Sequence, residues 1–492
     1  MEHYRPHSAL DVLRLPLLGA LLRWRWGRLA LQLPLTVIAV LLIVDGFTGP
    51  QIASRNLATV APWVHYRGLI VIALLLAGNL FCMGCPFTLP RTLARRLSQH
   101  GRRFPRALRN KWLAIASLIA LFFLYEWLDL WASPALTAWV IVAYFGASFA
   151  LEAVFTESAF CKYVCPLGTF NFVYSTLSPT QIAVRDPAVC AACQGKECIN
   201  GSWVSQPVIR VDHIPVAGGE VAARQVRRGP GGVLGCGTEL YPPQLKSNLD
   251  CVYCLDCARA CPHDNIGLLA RAPGRELSRP GAWPARWDVS LLVIGLAFWG
   301  ALNAFGMVPP VYDLQRVLAD TLGTRSDFVV LLVLFALGGV LLPTALTLAA
   351  ARLAQTLTGT ARRWSLRRTV AAFAPAFVPL GFGVWFAHYS FHLLIAPLAL
   401  IPVLQEFLGQ PGDWARFGAG VDAGVIAAVQ AVALLGGFVW SLVLAQSAAL
   451  RLYRRRALHG LIPWALLLAG LLLFTLYLMS LPMEMRGSVL FD

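Results

Sequence analysis

Long apolar runs separated by polar loops are the dominant pattern along this chain. Each run holds about 20 apolar residues, the length that one helix needs to cross the hydrocarbon core of a bilayer. We therefore expect an all-α polytopic membrane protein in contact with membrane lipid. The pattern predicts nine spans, at roughly 30–48, 67–85, 111–131, 134–156, 287–308, 327–349, 369–396, 421–447 and 460–482.

A polar segment without any membrane-length apolar run interrupts these spans, and it divides the chain into four predicted regions. Residues 1–29 are expected to form a basic amphipathic segment at the membrane interface. Residues 30–175 form a membrane block of four helices, and residues 286–492 form a second block of five. Between them, residues 176–285 form an insert that contains much of the chain's Gly, Pro and Cys.

Composition and charge agree with a membrane protein and predict its orientation. Hydrophobic residues make up 57% of the 492 residues and charged residues only 13%, against about 25% charged in soluble domains. The net charge is +16, but 22 Lys and Arg residues lie in alternate loops, against six in the other loops and the C-terminal tail. Positive loops face the cytoplasm. We therefore expect a multi-pass protein of the bacterial inner membrane with a cytoplasmic N-terminus and insert, and no nucleic-acid partner.

All twelve cysteines lie within the first 261 residues, at positions that this topology places in or beside the cytoplasm. Disulfides do not persist there, so thiolate ligands of a metal are the leading interpretation. The stretch "DCVYCLDCARACPHDN" has three cysteines two residues apart, then a fourth followed by proline. This is the spacing of two-cluster ferredoxins, in which the fourth cysteine binds the neighbouring cluster.

The spacing divides eight cysteines between two predicted [4Fe–4S] clusters. The alternative is a zinc ribbon, which also uses CxxC pairs but has no use for the third cysteine or for the Cys–Pro ending. We call the first group set A; it comprises Cys190, Cys193, Cys198 and Cys261. Set B comprises Cys236, Cys251, Cys254 and Cys257.

The remaining four cysteines form two similar Cys–Pro motifs at the predicted cytoplasmic ends of spans. They occur in "FCMGCPF" and "FCKYVCPLG", and the two pairs are expected to meet between the membrane and the insert. A third [4Fe–4S] cluster, another metal, or buried free thiols are the alternatives at this point. We call this group set C; it comprises Cys82, Cys85, Cys161 and Cys165.

The motifs "FCMGCPF", "FCKYVCPLGTFN" and "CVYCLDCARACP" resemble those of the membrane-bound 4Fe–4S polyferredoxins. That family includes the membrane partners of periplasmic nitrate reductase and of nitrous-oxide reductase, and the polyferredoxin involved in assembling copper–haem oxidases. The resemblance covers roughly residues 67–270. It implies an electron-transfer subunit with two [4Fe–4S] clusters, linked to the quinone pool and to a partner redox enzyme. It does not extend to the last five predicted spans.

Histidines within the predicted spans form a second candidate site. His388 and His392 lie four residues apart and share one helix face, and His65 is expected at a similar depth. Ionisable residues inside a membrane are functional candidates. A b-type haem, a metal such as copper, a quinol site, or a purely structural role remain alternatives. His65 and Cys82 are expected on the same span, where 17 residues separate them by roughly 25 Å, too far for direct electron transfer.

Three functions are compatible with these features. The first is a membrane electron-transfer protein, a subunit of a quinol dehydrogenase-like complex with no catalytic residues of its own. The second is a factor that handles copper or assembles an oxidase, using its clusters to reduce a metal held at the histidines. The third is a transporter with a redox-sensing insert.

Overall fold

The computed structural model describes residues 10–24, 26–90, 94, 102–202 and 232–483. Two strands pair in it, Thr180–Val184 (β1) and Ile266–Ala270 (β2). The helices are Pro16–Arg23 (α1), Gly27–Thr48 (α2), Leu57–Ala77 (α3), Leu80–Gly84 (α4), Trp112–Trp127 (α5), Pro134–Val154 (α6), Pro166–Tyr174 (α7), Pro187–Ala192 (α8), Glu197–Asn200 (α9), Asp256–Ala260 (α10), Arg275–Ser278 (α11), Trp287–Phe305 (α12), Pro310–Leu322 (α13), Asp327–Thr358 (α14), Leu366–Ile395 (α15), Leu400–Phe407 (α16), Trp414–Phe417 (α17), Ala423–Tyr453 (α18) and Ala457–Ser480 (α19).

Helices of membrane length make up most of the described chain. Seven helical segments among the described residues are apolar and long enough to cross a bilayer: α2, α3, α6, α12, α14, α15 and the segment Ala423–Ser480, which comprises α18 and α19. Helix α5 is also apolar but shorter. The prediction of a helical, multi-pass membrane protein is confirmed. The count of nine requires α18 and α19 to cross separately and α5 to cross as well, and it stays a prediction.

The predicted second span, 67–85, is wrong in its boundaries. Helix α3 begins ten residues earlier, at Leu57, and it ends at Ala77. Gly78 follows with a φ of 75°, and the short helix α4 begins at Leu80. The apolar run continues across this break, so hydrophobicity alone did not reveal it. Because His65 and Cys82 do not share one helix, the separation of roughly 25 Å does not apply.

Side chains from both predicted membrane blocks share one core. Val71 on α3 and Leu118 on α5 belong to the same buried cluster as Trp385 on α15 and Trp464 on α19. The Phe122 ring of α5 stacks on Trp385 at 5.6 Å between centroids. Large rings that are fully buried contribute strongly to such packing. The two halves of the membrane part are therefore packed against each other.

The two strands lie at the base of the insert. They pair antiparallel, with Thr180 opposite Ala270 and Val184 opposite Ile266. Their apolar side chains enter a buried cluster that also contains cysteines of sets A and B. Strands β1 and β2 thus join the ends of the insert and bring its cysteine-bearing loops next to the membrane helices.

The described part of the N-terminal segment packs on the insert. Leu13 and Leu22 are buried in the same cluster as the strands, and the Asp11 carboxylate pairs with Arg185 at 2.8 Å. The opposite face of α1 leaves Leu17 and Trp24 exposed. Residues 1–9 and 25 of the predicted interfacial segment lie outside the described residues. Helix α1 therefore connects the insert to the start of α2.

Candidate metal centres

The four cysteines of set A line one cavity in the insert. Cys190 and Cys193 lie on and just after α8, Cys198 lies on α9, and Cys261 follows α10. The cavity encloses about 320 Å³, including its opening to solvent. Asn265 donates a side-chain hydrogen bond to Cys190 Sγ at 3.2 Å and a backbone one to Cys261 Sγ at 3.5 Å. Set A thus brings four sulfur atoms together, and two of them accept hydrogen bonds from Asn265.

Set B lines a second cavity, of about 310 Å³ including its opening. Three of its cysteines lie on one tight loop, in which Tyr253 and Leu255 adopt left-handed backbone conformations with φ of 52° and 59°. Such residues are uncommon outside glycine and let the loop turn sharply. Cys236 reaches the cavity from a separate segment, and its Sγ accepts a hydrogen bond from the Leu240 N–H at 3.4 Å.

Set C lies where the membrane helices meet the insert. Cys165 is the N-cap of α7, followed by Pro166 at the first helical position, and its Sγ accepts a hydrogen bond from Gly168 N–H at 3.2 Å. Proline is well suited to that position, and a helix N-terminus favours a thiolate. The Asn171 side chain donates to Cys82 Sγ at 3.3 Å. All four sulfurs of set C interact electrostatically with one another.

The three sets form a row. Cysteines of sets A and B share one buried cluster. The same cluster includes Met83, which lies between Cys82 and Cys85 of set C in the sequence. Cys82 and Cys254, from sets C and B, share a second cluster with Phe172 and Val252. The order in space is therefore A, B, C, from the insert towards the membrane helices.

A partly buried arginine, Arg28, lies beside sets B and C. The Arg28 guanidinium contacts Asp256 at 3.6 Å, the Met83 carbonyl at 3.3 Å and Thr88 Oγ1 at 3.0 Å. It also interacts favourably with thiolates of both sets. A positive charge at this position offsets the negative charge that metal-bound thiolates would carry.

Burial strongly affects the thiols of the insert. It raises the pKa of Cys198 to about 11 and raises the pKa of Cys190, Cys251 and Cys257 above the ordinary thiol value. Without a metal these groups are neutral thiols at pH 7, and binding a metal would release their protons. Hydrogen-bond donors to sulfur and the nearby arginine would then stabilise the negative charge on the deprotonated cysteines.

The cysteines surround a space and do not converge on a point. Within the described part of the chain, no three His, Cys, Asp or Glu side chains come close enough together to hold a single metal ion. In sets A and B the sulfurs are distributed around the walls of their cavities.

His388 and His392 are brought into contact on α15. Both are buried, and their Nε2 atoms lie 3.2 Å apart. The Met307 thioether, from the segment after α12, lies 3.2 Å from His388 Nε2. Two imidazoles and one thioether therefore meet within the membrane part.

His65 occupies a separate position. Its Nδ1 lies 3.2 Å from the Val60 carbonyl oxygen and its Nε2 lies 3.2 Å from the Pro397 carbonyl oxygen. These contacts fix the π-helical turn of α3 against the segment after α15. Both ring nitrogens of His65 are thus occupied by backbone groups.

Several residues of these sites were not predicted from the sequence. Asn171 and Asn265 follow Cys165 and Cys261 closely along the chain, so a search for amide side chains near each Cys–Pro motif could have found them. No sequence signal pointed to Met307, which lies 81 residues from its histidine partner.

Comparison of the chain with protein-family models, curated proteins and solved structures found no match.

Proposed function

We propose that this protein is a membrane-bound electron-transfer protein that holds [4Fe–4S] clusters in sets A and B, with set C as the site of a third. Such clusters, when bound, accept and release single electrons at potentials set by charge, hydrogen bonds and exposure. The observation that carries the proposal is the row of three four-cysteine sets, in which neighbouring sets share buried residues. A row of this kind suits passage of electrons between the insert and the membrane.

The electron source would be the quinone pool or a cytoplasmic donor, and the acceptor a partner redox enzyme. A cavity lies between α5, α12 and α14, and aromatic side chains such as Phe122 and Trp299 line it beside the polar Glu126 and Gln315. The space in it that a water-sized molecule can occupy is about 20 Å³, so a quinol would enter only if these helices moved apart. The quinol alternative therefore rests on the resemblance to the membrane polyferredoxins.

The orientation belongs to the same proposal. The basic loops favour a cytoplasmic insert in a bacterial cell, by the positive-inside rule. The clusters would then accept electrons on the cytoplasmic face. The resemblance to the membrane polyferredoxins, carried by the motifs of sets B and C, agrees with this arrangement.

The test is the metal content of anaerobically purified protein together with serine variants of sets B and C. We expect about twelve iron atoms and twelve sulfides per chain, because each [4Fe–4S] cluster carries four of each. Cys251→Ser and Cys82→Ser should each remove about four irons. Addition of quinol should bleach the iron–sulfur absorbance of the wild-type protein.

The variants distinguish the parts of the proposal. A Cys82→Ser variant that keeps all the iron of the wild type would show that set C holds no cluster. Zinc without sulfide in the wild-type protein would overturn the proposal as a whole. Clusters that stay oxidised with quinol but reduce with a soluble low-potential donor would assign the electron source to the cytoplasm.

A further inference from the structure

The group formed by His388, His392 and Met307 contains no residue of the three cysteine sets. Met307 follows the end of α12, and His388 and His392 lie on α15. An inference about this group therefore stands independently of the proposed function.

Hydrogen bonding within the protein does not satisfy these side chains. His388 Nε2 lies 3.2 Å from both His392 Nε2 and Met307 Sδ, and a neutral imidazole has one proton for its two nitrogens. His388 Nδ1 is buried and has no hydrogen-bond partner. Either choice of tautomer for His388 leaves one nitrogen without a hydrogen bond, which is unfavourable in a buried position. His388 Nε2 thus faces a second imidazole nitrogen and a thioether sulfur, and all three atoms can act as metal ligands.

We propose that His388, His392 and Met307 form a binding site for one soft monovalent metal ion of the Cu(I) class. Thioether sulfur selects such ions, and imidazole is a good ligand for copper. In a three-coordinate site, two ligand atoms that each lie about 2.0 Å from the ion are roughly 3.5 Å apart. Two of the three ligand separations, from His388 Nε2 to His392 Nε2 and to Met307 Sδ, are 3.2 Å, close to that value.

The surroundings favour a single positive charge on the ion. All three ligands are neutral, and His388 and His392 are 0% and 4% exposed. The buried Arg67 guanidinium interacts electrostatically with both histidines. A fixed positive charge in a medium of low dielectric constant repels a divalent ion about twice as strongly as a monovalent one. The site should therefore prefer Cu(I) to Cu(II) or Zn²⁺.

The contact between the two imidazoles argues against a haem group bound between them. With their Nε2 atoms 3.2 Å apart on one helix, the two rings leave no space for a porphyrin between them. His65 lies apart from this pair, with its two ring nitrogens facing the Val60 and Pro397 carbonyl oxygens. The geometry favours a single ion over a haem group.

The experiment titrates Cu(I) under anaerobic conditions into the purified full-length protein against a competing Cu(I) chelator. All samples are matched for iron and sulfide content, so that the cysteines are equally occupied. We expect one Cu(I) per chain in the wild type and at least a tenfold weaker affinity in Met307→Leu. His388→Gln should abolish binding, and X-ray absorption should show one sulfur and two nitrogen ligands.

Met479→Leu is the matched control. Met479 is another methionine of this region, and its sulfur accepts a hydrogen bond from Gln430 at 3.3 Å and not from a histidine. This variant should bind Cu(I) like the wild type. Equal affinity in the wild type and Met307→Leu would overturn the inference, as would bound copper with only sulfur ligands. Wild-type protein that binds Cu(I) as expected but contains no iron would count against the proposed function and not against the copper site.

Discussion

Amide and backbone donors aimed at sulfur are a recurring feature of the three cysteine sets. Asn171 and Asn265 each donate to a cysteine Sγ, and the first turn of α7 donates to Cys165. Hydrogen bonds to cluster sulfurs stabilise the reduced, more negative form and raise the reduction potential. At the scale of single residues, these donors set the chemistry that each set would support.

We expect Asn171→Leu to lower the reduction potential of a cluster in set C. The substitution removes the donor to Cys82 Sγ, and Asn171 is almost fully buried, so water does not replace it. Hydrogen bonds to charged groups are worth about 1.5–3 kcal/mol. About 1.4 kcal/mol corresponds to about 59 mV for one electron, so a decrease on the order of 60 mV is expected in a potentiometric titration followed by EPR.

Thr169→Val is the matched control for that titration. Thr169 is buried on the same helix, and its hydroxyl donates to the Cys165 carbonyl oxygen at 2.9 Å and not to a sulfur. It should leave the potential unchanged. Equal potentials in wild type and Asn171→Leu would show that this amide does not act on a cluster.

At the scale of elements, the break between α3 and α4 positions the first cysteine pair of set C. Gly78 has a φ of 75° and a ψ of −142°, a conformation that essentially only glycine adopts. A Cβ at this position would lie 2.8 Å from Ser178 Oγ and 3.0 Å from the Tyr253 ring. The break therefore also allows the loop of set B to approach the membrane helices.

Gly78→Ala should destabilise the protein and reduce occupancy of set C. The backbone strain alone is worth about 1–3 kcal/mol, and the crowding against Ser178 and Tyr253 adds to it. Thermal unfolding in detergent and iron per chain measure the two effects.

Gly146→Ala serves as the comparison, since it lies within α6 with no atom within 4 Å of the added methyl group. Alanine is the better helix former by about 1 kcal/mol, so this variant should be as stable as the wild type or slightly more so. If both alanine variants behaved alike, the conformation of Gly78 would have no special importance.

At the scale of the whole molecule, contacts between distant segments hold the two membrane blocks together at the end away from the insert. Arg55, before α3, makes two hydrogen bonds to the Glu406 carboxylate on α16, at 2.9 and 2.7 Å. Trp414 donates a third, at 3.1 Å. His65 and Pro397 join the same two regions. This end of the molecule therefore depends on polar contacts more than the buried core does.

The contribution of Glu406 to stability should disappear at low pH. The hydrogen bonds from Arg55 lower the pKa of Glu406 in the folded protein. A carboxyl with a lowered pKa stabilises the fold above its ordinary value, about 4.3, and this contribution is lost as the pH falls through the lower, folded-state value. Wild type should exceed Glu406→Gln in unfolding temperature at pH 7, and the difference should shrink below about pH 4.

Arg316, which pairs with Asp313 on the surface of α13, supplies the control. Arg316→Gln removes an exposed pair within one helix and should change the unfolding temperature little at either pH. A difference between wild type and Glu406→Gln that is the same at pH 7 and at about pH 3 would contradict the assigned ion pair.

The sequence by itself determined the class of protein, because the length of an apolar run is a direct consequence of bilayer thickness. It also divided eight cysteines into sets A and B, because the spacing of short motifs limits which thiols can reach one centre. These are local properties, readable within a few residues of each position. What the eight thiols bind stays a prediction.

Only the tertiary structure decided how distant segments meet. The break at Gly78, the row formed by the three sets and the contact of Met307 with His388 all depend on packing between segments far apart in the chain. His65 could be placed near the other histidines by depth alone, yet its nitrogens bind backbone carbonyls. Hydrophobicity predicts that a segment enters the membrane, but neighbouring side chains decide what each residue contacts there.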